Sequence, residues 1–289
     1  MKSTQIRHTL LLLLTALIWG CAFVAQQVGA DYVGPFTFLA LRSYLGGLVL
    51  LPAALFRRRR LTWQELKAGV LLGLWLTAAS YFQQAGVGQT TVAKAGFITT
   101  LYVIFVPFLT FLLYRKRVSA RIWFCVALSL VGLYLLSHMT LALSAGDWMV
   151  LLCALLFSGH ILTVDHYSQT TDGLTISCIQ FLTVAVLSTS GMLLKENPDW
   201  SAIQLAGPSI LYAGILSSGV GYTLQIIGQK GVNPTIASLA MSLESAFAAL
   251  AAWVILGQKL SPAELVGCLL MFVSIVLAQL PDRSATMTA

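Results

Sequence analysis

Ionisable side chains are scarce in the apolar stretches of this chain, and those few are the first candidates for chemistry. Glu244 lies midway through the apolar run 234–256, on a stripe with Ala237, Ala240, Ala248 and Ala251. A charge inside such a run costs about 2.5–3.5 kcal/mol on insertion scales, so it faces a cavity or a partner rather than lipid. Two readings fit Glu244: a protonated carboxyl bonded to a neighbouring helix, or a site for a solute or a proton. Arg42 shares its face with Ser43, Gly46 and Gly47. It keeps its charge, and so needs a carboxylate, carbonyls, water or an anion beside it. Lys94 stands a turn inside the run 91–114, where it either snorkels to the outer surface or guards the mouth of a cavity. His160 is five residues from Asp165, about 140° around a helix, so the two share no face. It is either a satisfied core histidine or a proton relay.

Neutral polar residues form two matched faces. Thr77, Ser80, Tyr81 and Gln84 fall on one side of a helix at 66–85, and Ser218, Tyr222, Gln225 and Gln229 do so at 204–228. Tyr81/Gln84 and Tyr222/Gln225 share the spacing Tyr-x-x-Gln, which sets a ring and an amide on one face in each half of the chain. A lone Gln in lipid is ordinarily an interhelical hydrogen-bonding group; the recurrence favours the lining of a passage. Trp19 and Tyr102 offer aromatic walls or simple packing. The sequence holds no H-E-x-x-H, no G-x-S-x-G, no paired aspartates in apolar runs and no spaced Cys/His set, so neither a metal nor a cofactor is expected. Cys21, Cys125, Cys153, Cys178 and Cys268 all lie in apolar runs, as small packing residues.

The elements that position these groups follow from composition. Apolar residues make up 58% of the 289, charged ones only 9%, and the mean hydropathy is +0.85. A soluble domain carries roughly 25% charged residues, so most side chains here are solvated by lipid. The net charge of +7 is spread in short clusters between apolar runs, the pattern of a membrane protein and not of a nucleic-acid binder. Ten runs reach the length of about 20 residues that a bilayer requires: 8–28, 35–56, 66–85, 91–114, 120–138, 147–166, 174–194, 204–228, 234–256 and 262–280. Turn chemistry separates them at 31–35, Asn197-Pro198, Asn233-Pro234 and Ser261-Pro262. Lys2 and Arg7 before an apolar run resemble a signal peptide, but the run continues past Cys21 and bulky Trp19 stands where a cleavage site wants a small residue. A retained first span is expected.

Repeats organise the whole. The stretch 91–136 recurs later in the chain with a constant offset of 142: Ala95 and Ala237, Leu101 and Leu243, Phe105 and Phe247, Ser119 and Ser261. A weaker match at an offset of 138 pairs Leu14, Ala16, Leu17 and Trp19 with Leu152, Ala154, Leu155 and Phe157. With the N-terminus inside, 13 of the 17 cations are cytoplasmic: Lys2, Arg7, Arg57, Arg58, Arg59, Arg60, Lys67, Arg115, Lys116, Arg117, Arg121, Lys230 and Arg283. Only Lys195 and Lys259 lie outside, so both termini are expected in the cytoplasm. Five spans is an odd number, so the second half enters the membrane upside down. The expected architecture is all-α: two inverted five-helix repeats, 1–142 and 143–289, around a central cavity near the bilayer midplane.

The chain resembles the EamA-type members of the drug/metabolite transporter superfamily. The likeness rests on Ala16-Leu17-Ile18-Trp19-Gly20, Ala40-Leu41-Arg42, Ala93-Lys94-Ala95-Gly96-Phe97-Ile98-Thr99, Val106-Pro107, Gly146-Asp147-Trp148, Glu244 and Leu256-Gly257-Gln258-Lys259-Leu260-Ser261. It implies ten helices around a cavity and transport of small metabolites, often outward. The family often places Pro directly after the Glu of span nine, where this chain has Ser245. A proline kink is therefore expected in span four, at Pro107, and not in span nine.

These readings converge on a secondary transporter in a bacterial inner membrane, working by alternating access on a small solute. Few buried charges suit an amino acid or another neutral, zwitterionic or amphipathic molecule better than a polyanion. Glu244, and behind it His160, are the groups that could couple flux to protons. The competing classes are a scaffold or receptor without flux and an intramembrane enzyme. The expected partners are the solute and the bilayer, with no nucleic acid, in a monomer or homodimer.

Overall fold

The computed structural model describes residues 2–56, 60–115, 118–137, 144–257 and 259–280. Arg57, Arg58, Arg59, Lys116, Arg117, His138, Gln258 and Arg283 lie outside the described residues. Among those described, the chain is helical throughout, with no strand. In order come α1 (Lys2–Ala30), α2 (Pro35–Phe56), α3 (Trp63–Val87), α4 (Val92–Thr99), α5 (Tyr102–Tyr114), α6 (Ala120–Ser137), α7 (Ala145–Ser168) and α8 (Gly173–Lys195). Then follow α9 (Trp200–Leu205), α10 (Gly207–Leu211), a π-helix (Tyr212–Gly221), α11 (Tyr222–Gln229), α12 (Pro234–Met241), α13 (Glu244–Leu256) and α14 (Pro262–Gln279).

Side-chain caps start several of these helices. Thr62 with Glu65, Ser144 with Asp147 and Ser261 with Glu264 form reciprocal capping boxes at α3, α7 and α14. Asp172, Asp199 and Asn233 cap α8, α9 and α12. Each satisfies backbone N–H groups that no preceding turn can reach, a need made sharper by lipid. Glu196 extends the device between elements: its carboxylate accepts from Phe36 N at 2.9 Å and Thr37 N at 2.8 Å, tying the end of α8 to the start of α2.

Seven described stretches are long and apolar enough to cross a membrane: Gln5–Ala30, Pro35–Phe56, Lys94–Tyr114, Ala145–Ser168, Gly173–Lys195, Gly207–Gln229 and Pro234–Ile255. Ala120–Leu136 and Pro262–Ala278 are shorter apolar helices. The distribution of polarity is that of a protein in lipid: Phe108, Leu112, Val254 and Leu269 are exposed, while Ser129, Ser158, Ser177 and Gln180 are fully buried. The chain is a multi-pass membrane protein.

Packing comes in matched sets. α2 lies on α8 and α6 on α14; α3 packs on α7 and α8; α1 packs on α13, on the π-helix and on α11; α2 also meets the π-helix, and α4 and α5 meet α7. Exchanging the spans of one half for those of the other turns α3–α7 into α1–α11, and α1–α13 into α5–α7. Small residues permit the closest of these approaches. A Cβ on Gly73 would stand 2.5 Å from Thr183 Cβ, and one on Gly214 2.6 Å from Leu45 Cβ, so these glycines serve close helix contact.

Several expected spans differ from their expectation: the run 66–85 is not among the seven membrane-length stretches, 120–138 and 262–280 give only the two shorter helices, and 204–228 is interrupted at Ala206 and continues through the π-helix. The runs 91–114 and 234–256 are not continuous helices: the first breaks at Thr100-Leu101, the second at Ser242-Leu243. Pro107 lies within α5, past the break, and span nine breaks at the equivalent place without a proline. Hydroxyl groups supply a physical reason. Thr100 Oγ1 donates back to Gly96 O at 3.0 Å and Phe97 O at 2.9 Å, and Ser242 Oγ to Leu239 O at 2.8 Å. Such bonds compete for carbonyls that the following turn would use.

Candidate functional site

The two breaks meet. Ser245 Oγ donates to Gly96 O at 2.8 Å and lies 3.2 Å from Thr100 Oγ1, so α13 is stitched to the end of α4. Tyr102 and Glu244 each open the helix after a break, and they are 142 residues apart, the offset of the sequence repeat. Tyr102 donates its hydroxyl to Glu244 Oε1 at 3.1 Å. Both side chains are buried. The carboxyl that the sequence marked as costly in a span thus has a partner at the equivalent place in the other half.

Arg42 stands across the same cavity, on α2. Its Nε donates to Ser218 Oγ at 3.1 Å and a terminal nitrogen to Ser217 Oγ at 3.3 Å. Those consecutive hydroxyls belong to the π-helix, whose i→i+5 turns are rare and recur at functional sites. Trp19 Nε1 donates to Ser217 O at 3.4 Å, and its ring centroid lies 4.5 Å from that of Tyr222. Glu244, Arg42, Trp19, Tyr102, Tyr222 and Gln225 all line this cavity.

The cavity is constricted to about 20 Å³, room for roughly one water molecule. Open recesses flank it. One of about 700 Å³ is lined by Tyr114, Arg121, His166, Asn233 and Thr235, at the end the charges mark as cytoplasmic. One of about 470 Å³, at the opposite end, is lined by residues 30–35 and by Tyr81, Gln84 and Gln89.

The remaining candidates lie outside the central cavity. Tyr81 stacks on Phe36 at 4.3 Å beside the recess of residues 30–35, and Gln84 Nε2 donates to Gln26 O at 3.0 Å. Their counterparts Tyr222 and Gln225 do line the centre. Lys94 forms an ion pair with Asp147 at 2.5 Å, which also accepts from Thr90 at 2.8 Å and from Ser144 N at 2.7 Å. His160 is fully buried, 3.1 Å from Gln180 Oε1, with its ring edge against Tyr222. It lies behind the cavity wall. Among the described residues, no group of three His, Cys, Asp or Glu could hold a metal.

Sequence reasoning missed Gln26, Gln83, Thr99 and Ser217, which line the cavity as well. The amides had a signal, because an amide in an apolar run needs a partner; Ser217 depends on the π-helix, which left none. Buried amide oxygens of Gln26, Gln84, Gln225 and Gln229 have no partner. Each such group costs about 1–3 kcal/mol; Gln26 and Gln225 line the central cavity and Gln84 the recess beside residues 30–35.

Comparison with known proteins identifies the family. Residues 7–138 and again 144–280 match the EamA-like transporter family. An uncharacterized transporter of Archaeoglobus fulgidus is 28% identical over 93% of this chain and 84% of its own length. The uncharacterized transporter YwfM of Bacillus subtilis is 26% identical over 98% and 97%. A crystal structure of a protein 19% identical superposes with a TM-score of 0.80 over 98% of this chain and 99% of its own, which supports the fold. With two successive matches covering nearly its whole length, the chain belongs to the EamA-like transporter family.

Proposed function

We propose that the protein is a secondary transporter that moves a small metabolite outward across the bacterial inner membrane by alternating access. Two five-helix modules, residues 1–142 and 143–289, lie in the membrane in opposite orientations with both termini cytoplasmic, and rock about the cavity between them. The observation that carries this reading is the Tyr102–Glu244 bond, which joins residues one repeat apart across a constriction flanked by two recesses. The exchangeable packing sets and the offset of 142 support the duplication. The charge asymmetry supports the orientation.

The cargo is an amino acid or another neutral, zwitterionic or amphipathic solute. Trp19, Arg42, Tyr102, Tyr222, Gln225 and Glu244 meet it at the centre; Tyr81 and Gln84 line its outer path, and Lys94 with Asp147 braces the outer end. Glu244, with His160 behind it, couples flux to protons. No cofactor takes part, and a monomer or homodimer is sufficient.

Purified protein in liposomes with an imposed pH gradient tests this, with a panel of labelled amino acids, amines, sugars, carboxylates and nucleosides. Saturable flux of at least one is expected. No flux for any of them would replace transport with a scaffold or receptor role. Cysteines substituted at Ser144 and Thr170 should label from the periplasm and the cytoplasm respectively; labelling of both from one side overturns the inverted modules.

A further inference from the structure

Between the central cavity and each recess lies the same kind of contact, made twice. Gln26 lines the cavity and Gln84 the recess beside residues 30–35, and Gln84 Nε2 donates to Gln26 O at 3.0 Å. Toward the other recess, Ile161 lines the cavity, and Gln229 Nε2 donates to Ile161 O at 3.2 Å. One turn beyond Ile161 stands Asp165, and two residues beyond Gln229 stands Gly231, both in the wall of that recess. The first bond joins α3 to α1 and the second α11 to α7, in each case the third and first spans of one half.

Neither contact is what a permanent seal would use. Gln84 is 3% exposed and Gln229 0%, yet the amide oxygen of each has no partner. A main-chain carbonyl accepts only from the nitrogen end of an amide, so the oxygen cannot be turned toward it. A neutral hydrogen bond stabilises by less than the desolvation of a buried idle acceptor costs. A side chain of similar length without polar atoms would therefore close either seam more firmly. The helices so joined are also lightly packed on each other: α3 lies chiefly on α7 and α8, and α1 on α13, the π-helix and α11. Parting α1 from α3, or α7 from α11, breaks little and lets water reach the idle oxygen.

We infer that Gln84 and Gln229 are paired latches, one for each end of the cavity. Each bonds well enough to fix the register of the closed seam and poorly enough to let that seam reopen. This rests on the reading of the cavity as a passage, and it adds a parting within each half to the rocking of one half against the other.

Labelling rates of the full chain in membrane vesicles test this. The reporter is Ala22→Cys, at a position that lines the cavity and is 1% exposed, with the five native cysteines changed to Ala. A charged, membrane-impermeant methanethiosulfonate is added to one face at a time, in right-side-out and in inverted vesicles. The rate follows the population of molecules open to that face. Gln84→Leu should slow labelling about threefold from one face and leave the rate from the other unchanged. Gln229→Leu should do the same from the opposite face. Gln84→Met and Gln229→Met should act in the same directions, and they decide if a Leu variant does not fold. Faster labelling, unchanged labelling, equal slowing from both faces, or slowing from the same face in both variants overturns the inference. So does a parent reporter that the reagent reaches from neither face, because a latched seam must open. Flux in liposomes without face-specific slowing leaves transport standing and removes the latches; face-specific slowing without flux does the reverse.

Discussion

Tyr81 and Gln84 on α3 carry the same spacing as Tyr222 and Gln225 on α11, yet the first pair lines the recess beside residues 30–35 and the second the central cavity. The backbones that precede them differ. α3 runs unbroken from Trp63, with Thr77 Oγ1 bonded back to Gly73 O at 2.7 Å. α11 continues a ten-residue π-helix. Wider turns advance each residue less around the axis, so the side chains of α11 face a different direction from those of an α-helical continuation. The spacing of two residues sets their direction relative to each other. The surroundings they meet are set by the turns before them.

The central cavity and that recess should therefore answer differently to substitution. Glu244→Gln at the centre carries the largest effect: flux driven by a pH gradient should fall about a hundredfold, with downhill counterflow kept within about threefold. Liposome assays with and without the gradient measure both, and equal loss would make Glu244 structural. Next, Gln225→Leu should reduce flux about tenfold and Gln84→Leu no more than about threefold. Equal losses would erase the distinction between the faces.

Stability sharpens the same contrast. Asp147 is fully buried and serves both Lys94 and the cap of α7, so Asp147→Ala should lower unfolding stability by about 3 kcal/mol. Thermal melting in detergent checks this, and a loss under about 0.5 kcal/mol would show the Lys94–Asp147 pair to be ornamental. The smallest effect concerns the π-helix. Gly214→Ala puts a Cβ 3.0 Å from Arg42 O and should cost about 1–3 kcal/mol. Gly207→Ala meets nothing within 4 Å and should stay within about 0.5 kcal/mol of the parent.

Much of this was legible before any coordinates. Apolar runs of bilayer length, the 142-residue offset and the small-residue stripes come from the chain's own periodicity. Glu244 and Arg42 stood out because charge in lipid demands a partner. In the sequence Lys94 fits either snorkelling or guarding a mouth, and its partner Asp147 stands out only within a motif. Gln26 and Gln83 passed unremarked, since neither belongs to the repeated Tyr-x-x-Gln pattern.

The sequence by itself determined that lipid surrounds these helices, that two halves repeat, and which faces are polar, because side-chain direction along a helix is periodic and burial follows it. Only the tertiary structure decided that Tyr102 meets Glu244, that Arg42 meets two serines on a π-helix, and which amide oxygens are left idle. Those outcomes depend on where helices break and how far each is rotated against its neighbours. Hydroxyls competing for carbonyls and glycines admitting close contact set both, and no single helix carries that information in its own periodicity.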